Sequence, residues 1–366
     1  MDSIKNITFI TKSRFWSDGS GFWARTREMI RFLQQHYNVQ VFYLNGISQD
    51  DIQKLKQQNL KIKLAWHGGV QKEEQKFEWI QQLQHTLISF AQEDFYIIDK
   101  TELSEILDYL PRDAPRILDT HDIISERSKK LQEYKQQRDP FELSKDEEIA
   151  IFNRYQGIIC IQQDEYNLVS EWLDDDKVIL AQHPVTPFPQ RFQPGSKKVG
   201  FVASDWHANI SGLNRFLEEV WPNLISHGIE LHVYGSVCSH FKNNKNPNVF
   251  WHGFKQELKD CYQEIDIAIN PVYYGAGLKI KSIEALSFGI PIVATSEGAS
   301  GLTQLDGEAI LIAKNKEDFI NKILLLLNDS DKRLSMRECG LDLINNKFSH
   351  EACFKSLKEF IDRYPN

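Results

Sequence analysis

The chain has 366 residues, 41% of them hydrophobic and 26% charged, with a formal net charge of −8. This length exceeds what one hydrophobic core ordinarily holds, so two domains are expected, and the acidic balance excludes the basic footprint of a nucleic-acid binder. No apolar run is long enough to span a bilayer, and the opening Met1-Asp-Ser-Ile-Lys-Asn-Ile-Thr-Phe-Ile has neither a charged n-region nor an apolar h-region, so a cytosolic protein is expected. Five scattered cysteines (Cys160, Cys238, Cys261, Cys339, Cys353) without Cys-x-x-Cys spacing read as reduced structural thiols, not as a disulfide framework or a zinc site.

Short apolar runs alternate with longer amphipathic segments, the pattern of α/β domains built on parallel sheets. In chain order the first half offers strands at Ile7–Ile10, Val39–Tyr43, Lys61–Leu64, Phe95–Ile98, Arg116–Leu118, Gly157–Ile161 and Val178–Leu180, with helical patterns at Phe22–Gln35, Lys72–Ala91 and Asp146–Tyr155 between them. The segment from His183 to Ser196 holds four prolines and a glycine and reads as an interdomain linker. A second α/β series follows, with elements at Lys198–Ala203, Leu213–Trp221, Glu230–Tyr234, Val249–Trp251, Ile265–Asn270, Pro291–Thr295 and Ala309–Ile312, and a last amphipathic helix at Ser349–Arg363.

The most informative segment runs from Asp266 to Thr295. It reads as a buried strand, a turn carrying Gly275 and Gly277, a short helix opening on Lys279 and Lys281, and a second buried strand. Backbone N–H groups, a helix N-terminus and two cations around one point are how a fold holds a diphosphate. Glu284 stands among apolar neighbours (Ile283, Ala285, Leu286), where a carboxylate is costly unless something uses it, and Gly289 with Pro291 ends the helix.

Gly275, Gly277, Lys279, Lys281, Glu284 and Ala285, then Gly289, Pro291, Val293, Ala294 and Thr295, resemble the signature G-x-G-x-[RK]-x-K-x-x-E-A … G-x-P-[IV]-V-A-T of GT-B glycosyltransferases of the GT4 type. The resemblance implies an α/β fold of two Rossmann-like domains facing each other across a cleft. It implies an acceptor domain at 1–185, a linker at 186–197, a donor domain at 198–348 and a helix at 349–366 that crosses back to the first domain. The implied activity is a retaining, metal-independent transfer of a hexose from a nucleoside diphosphate sugar, UDP-linked in preference, to a glycan, lipid-linked or protein hydroxyl. The implied setting is polysaccharide or glycoconjugate synthesis, with no cofactor beyond the donor substrate. Asp174-Asp-Asp176 falls in an expected loop, not at a strand end, so no metal ligand is assigned.

By the same resemblance, His121, Lys279 and Glu284 carry the catalytic roles, with Glu284 accepting hydrogen bonds from the ribose. A neutral imidazole at a strand end could hydrogen-bond a sugar hydroxyl without adding charge. Donor contacts fall on Gly19 and Gly21 in the first strand–helix turn, on Tyr234 and Gly235, on Gly253 and Phe254 at the base, and on Gly275, Gly277, Lys281 and Gly298; the first turn also reads as a tight connection that needs glycine for geometry alone. Asp122, Ser125 and Arg127 are acceptor candidates. The basic stretch Arg127–Arg138 reads first as a solvated helix face and second as a weak peripheral contact with an anionic membrane. One departure stands out: retaining relatives commonly carry a glutamate seven residues before Glu284, and this chain has Ala276 there. The competing readings are a non-catalytic accessory subunit and a nucleotide-sugar epimerase of the same fold.

Overall fold

The computed structural model describes residues 4–18, 20–61, 63–66, 95–134, 141–190, 195–275 and 277–364. Most of the apolar runs become strands buried on both faces, as parallel strands between helical layers must be, while the edge strand Val249–Gly253 leaves Phe250 and His252 exposed. The first sheet contains β1 (Asn6–Thr11), β2 (Asn38–Tyr43), β3 (Lys63–Trp66), β4 (Phe95–Asp99), β5 (Arg116–Asp119), β6 (Gly157–Cys160) and β7 (Val178–Leu180), in the spatial order β3-β2-β1-β4-β5-β6-β7 and parallel throughout. The second contains β8 (Lys198–Val202), β9 (Glu230–Tyr234), β10 (Val249–Gly253), β11 (Ile267–Asn270), β12 (Ile292–Thr295) and β13 (Ile310–Ala313), in the order β10-β9-β8-β11-β12-β13 and again all parallel. Both sheets reverse strand order once, at β1/β4 and at β8/β11, and ligands of open α/β sheets bind at such reversals, beyond the carboxyl ends of the strands.

The helices are α1 (Gly21–His36), α2 (Gln49–Gln57), α3 (Ile124–Glu133), α4 (Lys145–Phe152), α5 (Gln163–Ser170), α6 (His207–Arg215), α7 (Lys259–Tyr262), α8 (Ile280–Ser287), α9 (Lys316–Asn328), α10 (Ser330–Lys347) and α11 (His350–Asp362). Several begin where the sequence supplies a cap. Ser48 with Asp51 and Ser144 with Glu147 form capping boxes, and Asn315, Asp329 and Ser349 each accept from a backbone N–H three residues on. α6 continues into a π turn at Phe216–Val220, just before Trp221-Pro222, where the proline has no N–H to extend a regular ladder.

One expectation needs adjusting. The third strand lies at 63–66, not 61–64, because its pairing with β2 sets Lys63 opposite Gln40 and Trp66 opposite Tyr43. The helix expected at 72–91 lies outside the described residues. The proline-rich segment after β7 is fastened to the second half: Val185 N–H donates to the Phe348 carbonyl, Phe188 N–H to Ser287 and Gln190 N–H to Phe288.

The last helix returns to the first sheet, packing against β7 and α1. Phe354, Leu357, Phe360 and Ile361 are buried there, and polar contacts fix it: Lys5 Nζ donates to the Ile361 carbonyl (2.8 Å), Tyr37 OH to Asp362 (2.8 Å), and His350 Nε2 meets Glu28 (2.7 Å). All five cysteines are unpaired. Among the described residues, no helix is long and apolar enough to cross a membrane.

Candidate functional site

The loops at the carboxyl ends of the two sheets meet across a cleft, and one point of contact is the glycine turn between β11 and α8. Gly277 has φ of 70°, and a Cβ built there would stand 3.0 Å from the carbonyl oxygen of His121 on the first domain. Only glycine takes this conformation without strain while allowing the approach. Within the second domain Gly298 also allows a close approach: a Cβ would fall 2.2 Å from the Asn270 carbonyl oxygen. The loop after β12 can therefore fold onto the end of β11, where Asn270 Nδ2 donates to the Gly298 carbonyl (2.8 Å) and to Ser282 Oγ (2.9 Å) on α8.

Lys279 is the N-cap residue of α8, whose first turn has no acidic residue. Its ammonium is buried and lies 2.7 Å from one oxygen of Glu297, whose other oxygen accepts from Lys130 Nζ at 3.0 Å. Lys130 belongs to α3 of the first domain, so Glu297 joins a lysine from each side of the cleft. Lys281 donates to Asn209 Oδ1 (2.6 Å), and Asn209 in turn donates to the Ser204 carbonyl in the turn after β8. Burial lowers both lysines. For Lys279 the nearby Glu297 carboxylate opposes the fall, while Lys281, with Lys279 beside it, is pulled down to about 7. Burial raises Glu284 to about 7, against the pull of Lys281 and of Arg27 from α1. Desolvation thus shifts all three groups towards their uncharged forms.

On the first domain, His121 ends the turn after β5 with φ of 61°, buried, its Nε2 2.5 Å from Asp99 Oδ1 and 3.4 Å from Asp119 Oδ2. Burial alone would raise Asp99, but His121 together with Lys100 and Ser13 holds it well below the usual carboxylate range. His121 Nδ1 has no hydrogen-bond partner among the described residues, and the Phe22 ring packs 5.4 Å from the imidazole. Asp99, Asp119 and His121 sit close enough to hold a metal ion, yet their ligand atoms are already engaged: Arg25 takes both oxygens of Asp119, while Thr11, Ser13 and His121 take those of Asp99. The cluster fits a hydrogen-bonded support for His121 better than a metal centre.

The remaining candidates divide. Gly21 starts α1 and faces Ile280 of α8, a Cβ there falling 3.0 Å from Ile280 Cδ1; Gly19 lies outside the described residues. Gly275 is covered by the partly exposed Trp206, whose ring a Cβ would meet at 2.7 Å. Tyr234, Gly235 and Gly253 are brought together, with Gly235 N–H donating to the Gly253 carbonyl (2.8 Å) and the Tyr234 ring stacked 4.4 Å from that of His252, while Phe254 stands 54% exposed at the edge. Asp122 and Arg127 pair with each other (2.8 Å), and Ser125 donates from N and Oγ to Glu148, so these three acceptor candidates have internal partners. The buried face of the basic helix α3 carries Ile124, Ser128 and Leu131, with Leu131 in a cluster shared with Val272 and Tyr274 of the second domain.

Reading by motif missed the groups whose role depends on the cleft. Arg27 and Glu165 carry no signature of their own. Glu165 looks like an ordinary first-turn acid of α5, yet its Oε1 accepts the N–H of Gly277 at 3.1 Å, 112 positions along the chain.

Residues 196–329 match the family described as Glycosyl transferases group 1. A protein of Klebsiella pneumoniae described as an uncharacterized 44.6 kDa protein in the cps region is 24% identical over 223 residues, 57% of this chain and 56% of that protein; the match thus spans little more than half the length of this relative. The fold matches that of Staphylococcus aureus TarM, solved as a mutant in complex with fondaparinux, alpha-GlcNAc-glycerol and UDP, at 12% identity and a TM-score of 0.74, covering 98% of this chain and 100% of TarM. It also matches Anabaena HepE, solved with UDP and glucose, at 13% identity and a TM-score of 0.70, covering 99% and 100%. Residues 196–329 thus resemble the glycosyl transferases group 1 family, and the whole chain shares the GT-B fold of these structures.

Proposed function

We propose that this protein transfers a hexosyl group from a nucleoside diphosphate sugar, UDP-linked in preference, to a hydroxyl of a glycan or glycoconjugate acceptor, with retention of anomeric configuration and without a metal ion. The observation that carries this reading is the convergence of Lys279, Lys281, Glu284 and the start of α8 on one glycine turn that faces the other domain. The UDP present in the TarM and HepE structures supports a uridine donor.

The work asked of the chain is electrostatic. As the bond from sugar to diphosphate breaks, negative charge grows on the leaving oxygens. Lys279, Lys281 and the first amides of α8 stabilise it from a desolvated setting, where such interactions are strongest. An arriving diphosphate competes with Glu297 for Lys279, and its charge restores the protonation that burial weakens in both lysines. Glu284 accepts from the ribose, His121 faces the sugar, and contact between the domains keeps water from the reacting carbon.

Release of nucleoside diphosphate from UDP-, GDP-, ADP- and dTDP-sugars tests the reading. One donor should turn over, and Lys279→Ala should slow that release about 10²- to 10³-fold, the usual loss when one group stabilising a developing anion is removed. Failure of every donor, with no nucleotide raising the melting temperature, would contradict it.

A further inference from the structure

Glu165 has no part in the chemistry just described, yet it occupies the same cleft. It is 6% exposed, in the first turn of α5 on the first domain, and Oε1 accepts the Gly277 N–H. Oε2 has no hydrogen-bond partner among the described residues. The charged groups facing the carboxyl are Asp122 from the first domain and Lys279 from the second, and the Gln162 side chain hydrogen-bonds the carboxyl. Gly277, the residue that Glu165 holds, also rests against the His121 carbonyl, and Gly301 of the loop after β12 approaches Gln162, a Cβ there falling 2.5 Å from Gln162 Oε1. Glu165 therefore stands where the signature turn, His121 and the loop after β12 meet. A buried carboxyl with one unused oxygen is unfavourable unless a ligand group completes it. Burial, with Asp122 adding to it, raises the group to about 8, so at neutral pH it is an uncharged acid that can both donate and accept beside an anionic diphosphate without repelling it.

We propose that Glu165 is a donor-site residue supplied by the first domain, its Oε2 hydrogen-bonding a hydroxyl of the transferred sugar while Oε1 keeps the Gly277 N–H. The proposal rests on the nucleotide-sugar reading above and adds to it a sugar-contacting wall that is complete only when the two domains meet.

The test is isothermal titration of UDP, GDP, ADP and dTDP and of their glucose conjugates into wild type, Glu165→Ala and Glu165→Asp. The tightest-binding nucleotide and its conjugate carry the comparison. Glu165→Ala should weaken the sugar conjugate at least about tenfold more than it weakens the free nucleotide, the loss expected for one buried hydrogen bond. Glu165→Asp, which keeps the carboxyl and withdraws it by one methylene, should give the same selective loss, and it decides the matter if the alanine variant does not fold. Equal weakening of nucleotide and conjugate would show that Glu165 acts only by holding Gly277 and would overturn the proposal, as would no change in either. A wild type that binds none of the eight compounds would instead overturn the nucleotide-sugar reading itself, and this proposal with it.

Discussion

Lys281 and Glu284 both sit near neutrality in this fold, one pulled down and the other pushed up by the same desolvation, and Glu165 is raised further. For Glu165 the effect on stability has a definite sign. The folded state holds its proton up to about pH 8, whereas the unfolded chain releases it near the ordinary glutamate value of about 4.3. The contribution is therefore full below that value and is lost as pH rises towards 8. Glu165→Gln, which cannot ionise, should melt at nearly the wild-type temperature at pH 4.5 and a few degrees higher at pH 8.5; equal offsets at both values would show that the carboxyl is not held neutral. The lysines and Glu284 could be singled out from the sequence because their spacing on one short segment suggests an anion site by itself. Glu165 could not. The acids Asp164 and Glu165 at a helix start look like ordinary first-turn residues, and only contact with a turn 112 positions away removes Glu165 from water. The sequence also shows alanine at 276, where the resemblance would place a carboxylate, and the fold brings a carboxyl to the neighbouring Gly277 from the opposite domain.

Among the elements, the turn between β11 and α8 is tightly constrained. Gly275 and Gly277 both have positive φ, and Gly277 has almost no room towards His121. Gly277→Ala should strain the turn and push the domains apart there, weakening nucleotide affinity about tenfold while leaving the far-ultraviolet circular dichroism unchanged; full wild-type affinity would show that the approach to His121 is dispensable. The strands themselves were legible almost throughout, since runs of β-branched and aromatic residues between polar turns leave little alternative. The exception, β3, is short and lies at the edge of its sheet, where register comes from the partner strand and local pattern is weak. The π turn after α6 was likewise invisible, because it reflects how a helix accommodates Trp221-Pro222, not a hydrophobic period.

At the scale of the whole molecule, two parallel sheets present their carboxyl edges to one cleft, and the chain crosses between the halves twice, through the segment after β7 and through α11. The alternation of strands and helices and the proline-rich segment made two α/β halves predictable. The polar bridges across the cleft, Lys130 to Glu297 and Glu165 to Gly277, were not, because each joins residues that become neighbours only when the halves face each other. These bridges tie the first domain to the very loops assigned to the diphosphate, so donor binding and domain contact should be coupled. Hydrogen–deuterium exchange with and without saturating UDP measures the central claim directly. The account predicts that UDP slows exchange in peptides covering 275–282, 297–301 and 252–254, with a smaller effect around 121–127 and 162–166 on the facing domain. Protection confined to other parts of the fold, or none at any UDP concentration, would contradict a donor site built on Lys279, Lys281 and Glu284.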